Sequence, residues 1–295
     1  MTDQLIRATA ADGGIRVVGV ITTQLTEEAR VRHHLSYVAT AALGRSMAAG
    51  FLLASSMKYP QSRLNFRIRS SGPLGGLSVD AGYDGTVRGY VRHPQVELPL
   101  NAQGQLDVGR AIGSGYLYIM RDVGYGTPYT STVELVTGEI GDDVAYYLAN
   151  SEQTPSALAL GVFNSEAGVS AAGGLLIQIL PKASGNEAIV ALLESRLSAL
   201  DGFTPLLRSG QTLPEIMEDI LGDLDLQIFP EYCPLRYHCP CSPERMLSAL
   251  KMLGREELID MIENDKGAEA CCDFCGEKYH ADVDKLHELM EELVS

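Results

Sequence analysis

No cysteine occurs before Cys233, so the first three quarters of the chain cannot rest on a disulfide framework and must fold by packing alone. Long apolar runs are missing as well. The longest, residues 167–180 and 39–56, are too short for a membrane span or are broken by Arg45. The opening MTDQLIRATAADGG has no basic segment followed by an apolar one, so no secretory leader is expected. Positive charge is scarce: 23 Lys+Arg stand against 38 Asp+Glu, for a net charge of −15. Residues 233–295 alone hold 14 acidic and 7 basic side chains. Phosphate is therefore repelled along the whole chain, and nucleic acid is not an expected partner. Catalytic frames are absent too, with no G-x-x-x-x-G-K-[ST], no G-x-G-x-x-G opening a helix after a strand, and no G-x-S-x-G. SGPLGG at 71–76 lacks the lysine of a phosphate site and reads as a hairpin loop. His33 and His34 fall inside a predicted helix and read as surface or packed residues. No enzyme, no membrane partner and a cytoplasmic location are the expectations.

What is present suits a globular chain of two domains: 295 residues, 45% apolar and 21% charged. To about Pro181 the pattern is α+β. Short segments rich in Val, Ile and Tyr (GIRVVGVITT, RLNFRIRSS, LGGLSVDAG, TVRGYVRH, GYLYIMRDV, YTSTVELV, SALALGVFN, VSAAGGLLIQILP) are separated by Gly, Pro or Asp turns, as in antiparallel hairpins. Thr26, Glu27 and Glu28 predict a helix start leading through the Ala-rich segment to Met57, and a second helix is expected over 141–151. From Lys182 the period changes. Ile189, Leu192, Leu193, Leu197 and Leu200 share one helical face, and so do Leu213, Ile216, Met217, Ile220, Leu221 and Leu224. DGFTPLLRSGQTLP breaks the helix between them. The expected organisation is a mixed α/β core domain over 1–181, an amphipathic helical linker over 182–232, and a small cysteine-bearing domain over 233–295 with helices near 243–253, 255–264 and 282–293.

All six cysteines lie in that last segment, and in a reducing compartment such clustering points to metal or redox chemistry. Cys239-Pro240-Cys241 and Cys272-Asp273-Phe274-Cys275-Gly276 supply two close pairs, the donor set that tetrahedral zinc prefers. A domain this short buries too little surface to fold unaided. Cys233 and Cys271 are either spare buried thiols or alternative ligands. Because Cys271 adjoins Cys272, spacing alone leaves a C-x-x-x-C pairing with Cys275 open. His238 and His280 flank the pairs and are not expected to replace a sulfur. Thiolates held on a metal are in the form that oxidants attack, so the tail reads as a fuse that turns an oxidant into local unfolding.

The C-x-C pair at 239–241, its spacing to CDFCGEKYH at 272–280 and the acidic helix that follows resemble the heat shock protein 33 family, and the resemblance covers the whole chain. It implies a redox-regulated holdase chaperone of the bacterial cytoplasm that captures unfolding client proteins without ATP. Cys239, Cys241, Cys272 and Cys275 would bind one zinc per chain in the reduced, inactive form. Oxidation would form Cys239–Cys241 and Cys272–Cys275 disulfides, release the metal and unfold the linker. The active form would be a homodimer and the reduced one a monomer. The alternatives are a zinc-dependent thiol oxidoreductase, for which CDFC lacks a βαβ context, and a zinc-ribbon adaptor, against which the charge argues.

Overall fold

An 18-residue apolar helix, Tyr37–Ala54, is enclosed between two β-sheets. The computed structural model describes residues 2–183, 187–198 and 203–293, which divide into two compact units, Met1–His238 and Cys239–Ser295. The first unit runs β1 (Gln4–Ala10), β2 (Ile15–Ile21), α1 (Thr23–His33), α2 (Tyr37–Ala54), β3 (Arg63–Ser70), β4 (Leu77–Gly82), β5 (Thr86–Val91), α3 (Val108–Ile112), β6 (Gly115–Asp122), β7 (Tyr129–Glu134), α4 (Ile140–Asn150), β8 (Ser156–Ser165) and β9 (Gly168–Ile179). Then come α5 (Glu187–Ser198), α6 (Phe203–Arg208), α7 (Leu213–Leu221) and three two-residue strands, β10 (Gln227–Ile228), β11 (Cys233–Pro234) and β12 (Arg236–Tyr237).

One sheet has the order β10-β1-β2-β9-β8, with β11 also on β1, and the other β12-β5-β4-β3-β6-β7. Every residue of α2 except Tyr37 and Arg45 is buried, and the helix touches strands of both sheets. It is long and apolar enough to cross a membrane, but 89% of that window is buried inside the protein. Its small residues let both sheets approach. Arg45 donates to the Glu139 carboxylate at 2.5 Å, which gives the one charge on the helix a counter-charge.

The single helix expected from Thr26 to Met57 is in fact two. His34 takes a left-handed backbone (φ 51°) after α1, and Ser36 opens α2 by accepting from the Ala39 N–H. His34 therefore closes α1 rather than lying inside it. Thr26 is buried in α1 and caps nothing. The first turn of α1 is held instead by Asp3, whose carboxylate accepts from the Gln24 and Leu25 N–H groups at 3.1 and 2.7 Å. The other expected strands form as β2–β9, and SGPLGG does join the antiparallel pair β3–β4. β1 was not expected, and neither were β10–β12.

The linker helices cover the face of the first sheet turned away from α2. There Ile15, Val17, Ile21, Leu175 and Ile177 pack with Leu193, Phe203, Leu207, Leu213, Ile216 and Met217. Ile189 and Leu224 join that cluster at its edge. Leu200 and the side chain of Leu197 lie outside the described residues. The sheet is cut to receive the helices. A Cβ on Gly19 would stand 2.8 Å from Met217 and 2.9 Å from Leu213, and one on Gly161 would meet Thr204 at 2.1 Å. The segment expected to be a break contains α6, because Pro205 in a first turn costs a helix nothing. A capping box between Thr212 and Glu215 starts α7. The Arg196 guanidinium ties α5 to the end of α7 through Asp223 and the Ile220 carbonyl, each at 2.6 Å.

After α7 the chain adds itself to both sheets. Ile228 pairs with Ala8 and Cys233 with Leu5, while Arg236 pairs with Thr86. The Tyr237 hydroxyl bonds the Gly89 carbonyl at 3.2 Å, and its ring lies under Arg32.

The second unit holds α8 (Pro243–Lys251), α9 (Arg255–Asp260), β13 (Ala268–Cys271), β14 (Lys278–Ala281) and α10 (Val283–Glu292). α9 is shorter than its apolar pattern suggested, because a wider π turn carries the chain over 261–265. Among the described residues, six form its buried core: Met246, Leu250, Leu258, Ala281, Leu286 and Leu289.

Candidate metal centre

Two local turns present the sulfurs. In the hairpin between β13 and β14, the Cys275 and Gly276 N–H groups both turn back to the Cys272 carbonyl, at 3.2 and 2.8 Å. Gly276 then takes φ 74°, where a side chain would be strained. The Phe274 and Glu277 N–H groups point at the sulfurs of Cys272 and Cys275. Facing them, Cys239-Pro240-Cys241 enters α8, whose first turn is capped by Ser242 accepting from the Arg245 N–H.

The four sulfurs lie within 4.8 Å of one another. Cys239 is 3.7 Å from Cys272, and Cys241 is 3.2 Å from Cys275. A tetrahedron with metal–sulfur bonds of about 2.3 Å has edges of roughly 3.8 Å, so the cluster matches that shape. Burial pushes the thiols of Cys272 and Cys275 up, and the Cys239 sulfur adds to it at both. Four thiolates this close therefore call for a cation among them, and these donors fit a metal ion that favours sulfur. The Tyr279 hydroxyl, on β14, donates to the Cys241 sulfur at 3.1 Å.

Cys233 and Cys271 stand apart from this group. Cys233 is half-buried on β11, and burial raises its thiol. Cys271 is exposed rather than a buried spare, and its sulfur faces the Gly276 carbonyl. In the metal-loaded protein, alkylation should modify Cys271 well ahead of Cys233, since Cys271 is exposed and burial both shields and raises the Cys233 thiol. Peptide mapping after short exposure checks the order, and equal rates would contradict it. His280 sits beside Glu269 at 3.5 Å and is not among the grouped ligands. The C-x-x-C lies in a hairpin turn, not at a helix start where a thioredoxin-like pair is activated. Tyr279 was missed from sequence, because a tyrosine four residues after a cysteine carries no signal of its own.

A model of the Hsp33 protein family matches residues 3–282. The chain belongs to the Hsp33 family. It is 68% identical over 293 residues to the 33 kDa chaperonin of Trichormus variabilis, covering 99% of this chain and 97% of that one. The 33 kDa chaperonin of Synechococcus elongatus is also 68% identical, with 99% of both chains covered. Among solved structures, the Hsp33 homologue of Thermotoga maritima superposes with a TM-score of 0.91 at 35% identity, covering 100% of this chain and 99% of that one. The α+β fold is that of Hsp33, and the family makes this protein a chaperone with a four-cysteine centre that could hold a metal ion.

Proposed function

We propose that the protein is a redox-regulated, ATP-independent holdase of the cytoplasm, idle when reduced and zinc-bound and active when its centre is oxidised. The observation that carries this is the gathering of four sulfurs from two loops around a core of only six buried side chains. Zinc, when bound, keeps these sulfurs as thiolates and ties the two loops into one folded unit. Cys239, Cys241, Cys272 and Cys275 are the ligands, one ion per chain. Oxidation to Cys239–Cys241 and Cys272–Cys275 disulfides leaves no charged donor to join the loops, and a core this small does not hold them alone.

Opening of the cysteine unit is linked in this reading to release of α5–α7 from the first sheet. The sheet face and helix faces so uncovered are continuous, apolar and adaptable, which suits capture of unfolding clients. The same surfaces favour a homodimer of the active form over the reduced monomer. No catalysis is assigned, and neither nucleic acid nor a membrane is a partner. The test is light scattering of a thermally unfolding client. Peroxide-treated protein should suppress aggregation at near-stoichiometric ratio, and reduced zinc-loaded protein should not. Equal suppression by both forms would remove the redox switch from the proposal.

A further inference from the structure

The Tyr279 ring is half-buried against the small core of the second unit, while its hydroxyl reaches the Cys241 sulfur at 3.1 Å. Cys272 and Cys275 are each served by a backbone N–H, of Phe274 and Glu277, which no truncation of a side chain removes. Cys241 instead receives a side-chain O–H, and tyrosine to phenylalanine deletes it without emptying the ring's seat. An O–H···S bond engages a sulfur lone pair and stabilises its negative charge, so it makes that sulfur both a firmer ligand and a weaker nucleophile.

We infer that Tyr279 is a positioning residue that holds Cys241 back from oxidation and so sets how much oxidant the centre withstands. The inference rests on the redox reading above. The step it restrains uses a peroxide as oxidant. The Cys241 sulfur attacks one peroxide oxygen, the O–O bond breaks, hydroxide leaves, and a sulfenic acid forms. A second cysteine thiolate then attacks that sulfur, a second hydroxide leaves, and the S–S bond closes. Two thiolates lose two electrons in all, and the peroxide gains them.

The position in the fold makes this an effective control point. β14 carries Tyr279 next to Ala281, itself part of the buried core. Loosening of that core would therefore withdraw the hydroxyl and expose Cys241 at the same time, so heat and oxidant would act on one bond.

The test uses the full-length, zinc-loaded protein and Tyr279→Phe. Without oxidant, the variant should lose zinc to a chelator on the order of ten-fold more readily, as removal of a supporting hydrogen bond at a metal site does. With a limiting dose of hydrogen peroxide, mass mapping should show Cys241 oxidised several-fold faster relative to exposed Cys271, the internal reference. Helix content of the zinc-loaded variant should match the parent. An unchanged Cys241-to-Cys271 ratio would overturn the inference. A uniform rise at all four ligands would also overturn it, because the hydroxyl would then support the site as a whole rather than restrain Cys241. If the ratio changes but peroxide-treated parent protein fails to suppress aggregation, the redox reading falls and the role of Tyr279 stands.

Discussion

Replacing Ile216 with Asp should produce a chaperone that works without oxidant. Ile216 is 1% exposed, on the face of α7 pressed to the first sheet among Leu213, Met217 and Ile220. A carboxylate there has no partner, and leaving a polar or charged group unpaired in an apolar site costs several kcal/mol. A shift of about 5.5 kcal/mol is enough to turn a 99:1 equilibrium into 1:99. The reduced variant should keep its zinc, suppress client aggregation, bind a hydrophobic dye and be cut by protease within 203–212. Gly19→Val tests the same contact from the sheet side, since its added methyls would occupy the space of Met217 and Leu213. Valine also suits a strand, so β2 itself should hold. Variants that are cut in the linker yet remain inactive when reduced would show that linker release is not the activating step.

Loss of any one ligand should unfold the second unit while α2 and the two sheets of the first unit hold. Structural zinc supplies apparent free energies of about 10–16 kcal/mol to small domains, and the six buried residues of this unit offer little to replace it. Cys239→Ser, Cys241→Ser, Cys272→Ser and Cys275→Ser should each fall well below one zinc per chain and lose the helix signal of α8–α10. Cys233→Ser and Cys271→Ser should retain both metal and helix. Metal analysis with circular dichroism reads the two effects together. Full zinc content in Cys241→Ser would overturn the ligand assignment.

The sequence by itself determined the features built from local geometry. C-x-C and C-x-x-C-G each form a turn within a few residues, so their spacing already says that two sulfurs will face one point. β2–β9 show themselves through β-branched and aromatic runs between turn residues, and α7 through a clean apolar face at helical spacing. Tertiary structure decided what depends on distant partners. β10, β11 and β12 are two residues each and exist only because β1 and β5 offer free edges to them. β1 is defined by β2 on one side and by a segment more than two hundred residues away on the other. α2 carries too little amphipathic signal to show a buried face, because sheets cover it on opposite sides. The break at His34 depends on one left-handed residue that no periodicity marks. The seats at Gly19 and Gly161 and the hydroxyl of Tyr279 on Cys241 are matters of a few ångströms between residues far apart in sequence, and only packing brings such atoms within reach of each other.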